Sequence, residues 1–137
     1  MRFIILVKAS KDSEEGIMPS PDVFDAMADY HEQLTKAGVL LDANGLQPSS
    51  KGWRIKWSGG KKTVVDGPFT EAKELVAGYT IIDVKSPEEA REWARRFPNP
   101  HNQDGEIEVR QIYELEDLGG SEEWTGWFRD MKTTTRK

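Results

Sequence analysis

The chain has 137 residues, a net charge of −5 and no cysteine. That length suits one domain, able to bury roughly 65–70% of the surface its unfolded chain exposes without disulfides or a structural metal. The missing cysteines exclude thiol nucleophiles, thiolate zinc sites and cysteine-held clusters. Two histidines, His31 and His101, exclude an intrachain three-histidine metal site. The acidic balance gives no general pull towards nucleic acid or an anionic bilayer. The longest N-terminal apolar run, Phe3–Val7, is too short for a signal-peptide core or a membrane span, so a cytoplasmic protein is expected.

Met1–Ala9 reads as a strand covered on both faces, because five consecutive positions are apolar. Ser10–Met18 reads as a polar loop. Ser20-Pro21-Asp22 starts a helix, with Ser20 as N-cap and Pro21 at the first helical position. Phe24, Met27, His31 and Leu34 share its apolar face, and Gly38 ends it. Val39–Leu46 is a strand. Trp53–Trp57 alternates and predicts a half-buried strand, turned by Ser58-Gly59-Gly60-Lys61 into Thr63–Val65 as a hairpin. Gly67-Pro68 ends that arm. Leu75–Val84 is a strand apolar on both faces. Ser86-Pro87-Glu88-Glu89 combines a capping box with proline at the first helical position. Ala90, Trp93, Ala94 and Phe97 form the buried stripe of this second helix. Glu106–Leu115 alternates, with Ile107, Val109, Tyr113 and Leu115 on one side and Glu106, Glu108 and Arg110 on the other.

This order predicts an α+β, ferredoxin-like split β-α-β domain with an inserted β-hairpin. Its antiparallel sheet carries two helices on one face. The other face needs a cover, and a second copy of the chain would supply it, enclosing a cavity between subunits. The inserted hairpin, with Trp53 and Trp57, is the alternative cover. The tail is distinct: Trp124, Trp127 and Phe128 fall at i, i+3 and i+4, an aromatic stripe if helical. That stripe docks on its own domain or its dimer mate, or else binds a different protein.

The stretch Thr63-Val64-Val65-Asp66-Gly67-Pro68-Phe69-Thr70-Glu71-Ala72-Lys73-Glu74 resembles the DGPF signature of the YCII-related domain family. Met1–Ala9, Lys36–Pro48, Leu75–Val84, Trp93–His101 and Glu106–Tyr113 agree with it in order. The resemblance covers residues 1–117 and leaves 118–137 as a C-terminal extension. It implies a dimeric α+β barrel and no firm reaction. Most DGPF-type members have no assigned activity, and some are encoded beside extracytoplasmic-function sigma factors. Smaller YCII proteins have a proposed His–Asp pair, with the histidine near the start of the first helix. Here Val23 and Phe24 stand in that region and His31 lies two turns on, so the pair does not carry over.

Asp66, before Gly-Pro, is either a turn aspartate bonded to backbone N–H groups or a carboxylate at a cavity mouth. Gly67, Pro68 and Phe69 fix the bend. Glu71, Lys73 and Glu74 form a paired surface, or place charges near a polar substrate. His31 reads as a packed, hydrogen-bonded residue. His101, in a loop, is better placed for proton transfer. Asp66 and His101 are the candidate acid–base pair, with Glu106, Glu108, Arg110 and Lys73 as candidate contacts to a small polar ligand. No metal or organic cofactor is implied. Trp53-Arg54-Ile55-Lys56-Trp57 interleaves aromatic and basic residues as single-strand binders do, but hairpin packing is the preferred reading at this net charge. The leading function is small-molecule binding, with or without acid–base catalysis. The alternative is a regulatory or interaction module, such as one acting with a sigma factor.

Overall fold

The computed structural model describes Met1–Gly119 and Glu122–Thr133. Strand β1 (Arg2–Lys8) is central and pairs antiparallel with β5 (Val76–Asp83) on one side and β6 (Ile107–Gln111) on the other. Strand β2 (Leu40–Gly45) pairs antiparallel with β5 and completes the order β2-β5-β1-β6. With helix α2 (Pro21–Lys36) joining β1 to β2 and α3 (Pro87–Arg95) joining β5 to β6, this is the ferredoxin-like split β-α-β arrangement.

The two faces of the sheet differ. Phe3 and Ile5 on β1, and Ile82 on β5, are buried against Tyr30 and Leu34 of α2 and Ala90 of α3, with Trp93 and Phe97 packed beside them. Alternation puts Ile4, Leu6 and Ile81 on the opposite, open face, where they stay half-buried. Lys8 and Arg110, paired with Glu108 at 3.0 and 3.2 Å, stand on that face too.

Local expectations hold for most elements, with instructive differences. Helix α2 turns Val23, Met27, Tyr30 and Leu34 further inward than the expected stripe, leaving Phe24 51% exposed. Tyr30 can enter the core because its hydroxyl donates to the Trp93 carbonyl at 2.7 Å. Ser86 caps α3 by accepting from Glu89 N, but the Glu89 carboxylate reaches back one residue further, to Lys85 N. The expected polar loop contains a one-turn helix, α1 (Lys11–Glu14), closed by a reciprocal Ser10–Ser13 capping box. Strand β6 ends at Gln111, so Tyr113 lies beyond it and is exposed.

The hairpin departs most from expectation. Strands β3 (Trp53–Ser58) and β4 (Lys61–Asp66) form their own two-stranded sheet. Every residue of β3 is exposed, so it is not half-buried and does not cover the open face. Hydropathy alternation specifies an apolar face but not its cover. In the C-terminal extension, α4 (Glu122–Thr133) packs on the turn Leu115–Leu118. Trp127 stacks edge-on with Phe128 and is 58% exposed. The Trp124 side chain lies outside the described residues.

Candidate functional site

A cavity of about 700 Å³ opens on the helix-covered side of the sheet. Its floor is backbone and small side chains: Ala43 and Gly45 of β2, and Ala77, Gly78 and Thr80 of β5. Gly78 belongs there on steric grounds, since a Cβ would stand 3.0 Å from the Asn44 carbonyl oxygen. Helix α2 supplies one wall through Val23, Phe24, Met27, Ala28 and His31. Three loops complete it, Ser10–Pro19 after β1, Leu46–Pro48 after β2 and Pro100–Gln103 after α3.

Hydrogen bonds join these loops. Ser20 N donates to Asn102 Oδ1 at 2.7 Å, and Asn102 Nδ2 donates to Ser20 Oγ at 2.8 Å. Ser20 begins α2 as expected, but its hydroxyl serves this link rather than a cap. At the other end of the first loop, the Glu14 carboxylate accepts from Ser49 N at 3.0 Å and from the Ser49 hydroxyl.

Both histidines of the chain line the cavity. His31 Nδ1 lies 2.7 Å from the Met27 carbonyl, which can only accept, so Nδ1 carries a proton. In the neutral ring, Nε2 then accepts from the Thr80 hydroxyl at 2.8 Å. Tyr30 and Phe97 pack edge-on against this ring. His101 Nε2 lies 2.9 Å from the Lys8 carbonyl and must likewise carry a proton. Its Nδ1 is therefore the basic nitrogen of a neutral ring. Gly105 leaves room for this ring, because a Cβ there would come within 3.1 Å of His101 Cδ2.

The electrostatics of the wall are simple. Among the described residues lining it, Asp12 is the one carboxylate, and there is no lysine or arginine. No group of three or more metal-ligating side chains exists among the described residues.

Of the other candidate catalytic and ligand-binding residues, Asp66, Lys73, Glu106, Glu108 and Arg110, none is part of this wall. Asp66 is exposed at the end of β4, opposite Trp53. It is not brought together with His101 at the cavity. Lys73 is exposed in the turn Ala72–Glu74. Glu106 lies just before β6, where its carbonyl accepts from Lys8 N. Glu108 and Arg110 are on the open face of the sheet. Hydrogen bonds from Lys8 and then Arg110 hold the Glu108 carboxyl below the usual carboxylate range.

Gly67, Pro68 and Phe69 make a joint at the base of the hairpin. A Cβ on Gly67 would lie 1.9 Å from the Ser49 carbonyl oxygen, so only glycine fits. Gly67 N donates to Gly52 O at 3.0 Å, and Phe69 N donates to Ser49 Oγ at 3.0 Å. The Gly67–Pro68 peptide is cis. The Arg54 guanidinium stacks 3.7 Å over the Phe69 ring. Through Ser49, the joint connects to Glu14 and hence to the loop that walls the cavity.

Residues 1–116 match the sequence model of the YCII-related domain. The chain belongs to the YCII-related domain family. Among curated proteins, an uncharacterised protein of Rhizobium meliloti (strain 1021) is 31% identical over 103 residues, covering 75% of this chain and 78% of that protein. The match ends near Leu115–Leu118, so α4 lies beyond the family domain. No helix among the described residues is long and apolar enough to cross a membrane.

Sequence reasoning missed Thr80 and the cavity itself. Thr80 did leave a signal, as a polar side chain on the buried parity of an apolar strand. The cavity left none, because its loops are joined through Ser20 and Asn102, 82 residues apart.

Proposed function

We propose that this YCII-related chain binds a small, uncharged and mainly apolar molecule in the cavity between α2 and the sheet, with His101 Nδ1 as the acceptor for its polar end. The observation carrying this reading is the wall, which holds both histidines and, among its described residues, neither lysine nor arginine. A phosphate or polycarboxylate would lose its hydration there without gaining a cation. The volume lies within the roughly 300–1,000 Å³ of small-molecule sites. If chemistry accompanies binding, it is proton transfer at His101, with His31 held in place by its two hydrogen bonds. This reading makes Asp66 a structural residue of the hairpin base.

Native mass spectrometry of gently purified protein, with His101→Ala beside it, tests the proposal. An additional bound mass in the wild type, lost in His101→Ala, supports it. A retained molecule carrying phosphate, or one held equally by both proteins, refutes it.

A second reading, a protein-interaction role for the extension, rests on the exposed Trp127. Truncation after Asp117 tests it. Loss of a partner with the domain still folded would support it, and loss of folding would make α4 structural.

A further inference from the structure

The hairpin β3–β4 is a projecting arm. Six residues per strand make it about 20 Å long. Residues of both parities on β3 are exposed, so neither face of the arm rests on the body of the chain. The register puts Trp53, Ile55 and Trp57 on one face with Asp66, Val64 and Lys62, and Arg54, Lys56 and Lys61 on the other. Trp53, Ile55, Trp57 and Val64 are 64, 43, 71 and 62% exposed. Together they show water on the order of 500 Å² of apolar side chain, the size of patch that marks an interaction site rather than ordinary surface.

We propose that the arm docks the chain on an anionic lipid bilayer, with its indole face in the headgroup layer. Composition is the first argument. Tryptophan prefers that layer because its ring is apolar and its N–H is polar. Ile55 and Val64, paired between the two indoles, gain from contact with acyl chains. The unpaired backbone edges of a two-stranded sheet keep the arm in the hydrated layer and out of the hydrocarbon. Charge is the second argument. Residues 51–66 carry Lys51, Arg54, Lys56, Lys61 and Lys62 against Asp66 alone, a net of +4 in a chain of −5, so the remainder carries −9. Asp66 stands at the base, whereas the outer part, residues 55–64, holds Lys56, Lys61 and Lys62 and no carboxylate. The turn lies about two Debye lengths from the base at physiological ionic strength. An anionic surface therefore attracts the tip while the acidic body is largely screened from it, which presents the arm first. Lys56 and Lys61, on the face away from the lipid, reach phosphates around the arm with their flexible stems. Docking brings the chain to the phase where an uncharged, apolar ligand of the kind proposed for the cavity accumulates.

Single-stranded nucleic acid is the competing occupant. Lys62 shares the indole face, its amine 5.9 Å from the Trp57 ring, but Asp66 cancels it beside Trp53. A stacking platform for a polyanion needs net positive charge beside its aromatics. Here the indoles, about 13 Å apart, are also separated by two aliphatic side chains that offer a base no π-face.

Cosedimentation of the full chain with ligand-free vesicles tests the proposal independently of the cavity reading. Vesicles of phosphatidylcholine alone are compared with vesicles that also contain phosphatidylserine. The proposal expects binding to the anionic vesicles roughly tenfold or more tighter than to the neutral ones, with a blue shift of tryptophan emission and weakening in high salt. Trp53→Ser/Trp57→Ser alters exposed side chains only, so circular dichroism should be unchanged while partitioning falls roughly tenfold or more. Lys56→Glu/Lys61→Glu/Lys62→Glu should remove the preference for phosphatidylserine. No binding to anionic vesicles overturns the proposal, as does binding that both variants retain. Tryptophan-dependent binding of labelled oligothymidylate, or tryptophan-dependent self-association in sedimentation velocity, without vesicle binding would overturn it too and give the arm to that occupant.

Discussion

Replacing Gly67 by alanine tests the joint that fixes the base of the hairpin. The new Cβ would lie 1.9 Å from the Ser49 carbonyl oxygen and 2.7 Å from its carbon, against 3.4 Å for ordinary contact. Both neighbours are backbone, so no side chain can swing aside. Gly67 has no positive φ, so alanine suffers no intrinsic backbone strain there and the whole effect is steric. Relief requires moving the turn Ser49–Lys51 from the hairpin base, which breaks the 3.0 Å bonds Gly67 N to Gly52 O and Phe69 N to Ser49 Oγ. Overpacking costs about 1–3 kcal/mol and each lost bond about 1 kcal/mol, giving roughly 3–5 kcal/mol in all. For a domain of this size that lowers Tm by roughly 10–20 °C. Thermal and urea unfolding followed by circular dichroism measure it. Gly45→Ala, whose Cβ would meet nothing within 4 Å, is the control. A Gly67→Ala protein within about 0.5 kcal/mol of wild type would refute the steric reasoning.

Ser49→Ala leaves Phe69 N without its acceptor and removes the hydroxyl bond to Glu14; a loss of about 1–3 kcal/mol is expected in urea titrations. Hydrogen exchange should also quicken in the cavity loop Ser10–Pro19. Tyr30 has its phenol pushed up to about 12 by burial, opposed by the nearby Arg96. Its raised value in the folded state means a stability contribution complete below about pH 10 and lost as pH rises towards 12. Tyr30→Phe should therefore flatten the alkaline limb of a stability–pH profile, while losing the bond to the Trp93 carbonyl. Glu108 has its value lowered by Lys8 and Arg110, so its contribution is present above the ordinary carboxylate range and is lost as pH falls through the depressed value. Glu108→Gln should shallow the acid limb of the same profile and leave its alkaline limb unchanged.

Most of the fold was legible because its signals are local. Pro21 and Pro87 mark helix starts, and Gly38, at φ +73°, marks a helix end. The alternating strand Trp53–Trp57 announced a hairpin, yet alternation fixes only which residues share a face. It could not say that this face would remain uncovered. Helix α1 was missed because the Ser10–Ser13 box lies in a polar run with no apolar stripe. The bend at Gly67-Pro68 was readable. The reason for glycine was not, since Ser49 lies 18 residues earlier in the chain. The candidate site was least legible. His101 was singled out as a loop histidine, but its companions in the cavity depend on the Ser20–Asn102 and Glu14–Ser49 contacts between distant loops.

The cavity reading is tested most directly by titrating the protein with N-phenyl-1-naphthylamine, an uncharged apolar fluorophore, alongside its anionic relative 1-anilinonaphthalene-8-sulfonate. Ala28→Trp, which places an indole on the α2 wall, is the comparison. The account predicts saturable enhancement at one neutral probe per chain, weaker binding of the anionic probe, and loss of both signals in Ala28→Trp. No saturable binding, a preference for the anion, or binding unchanged by Ala28→Trp would contradict it.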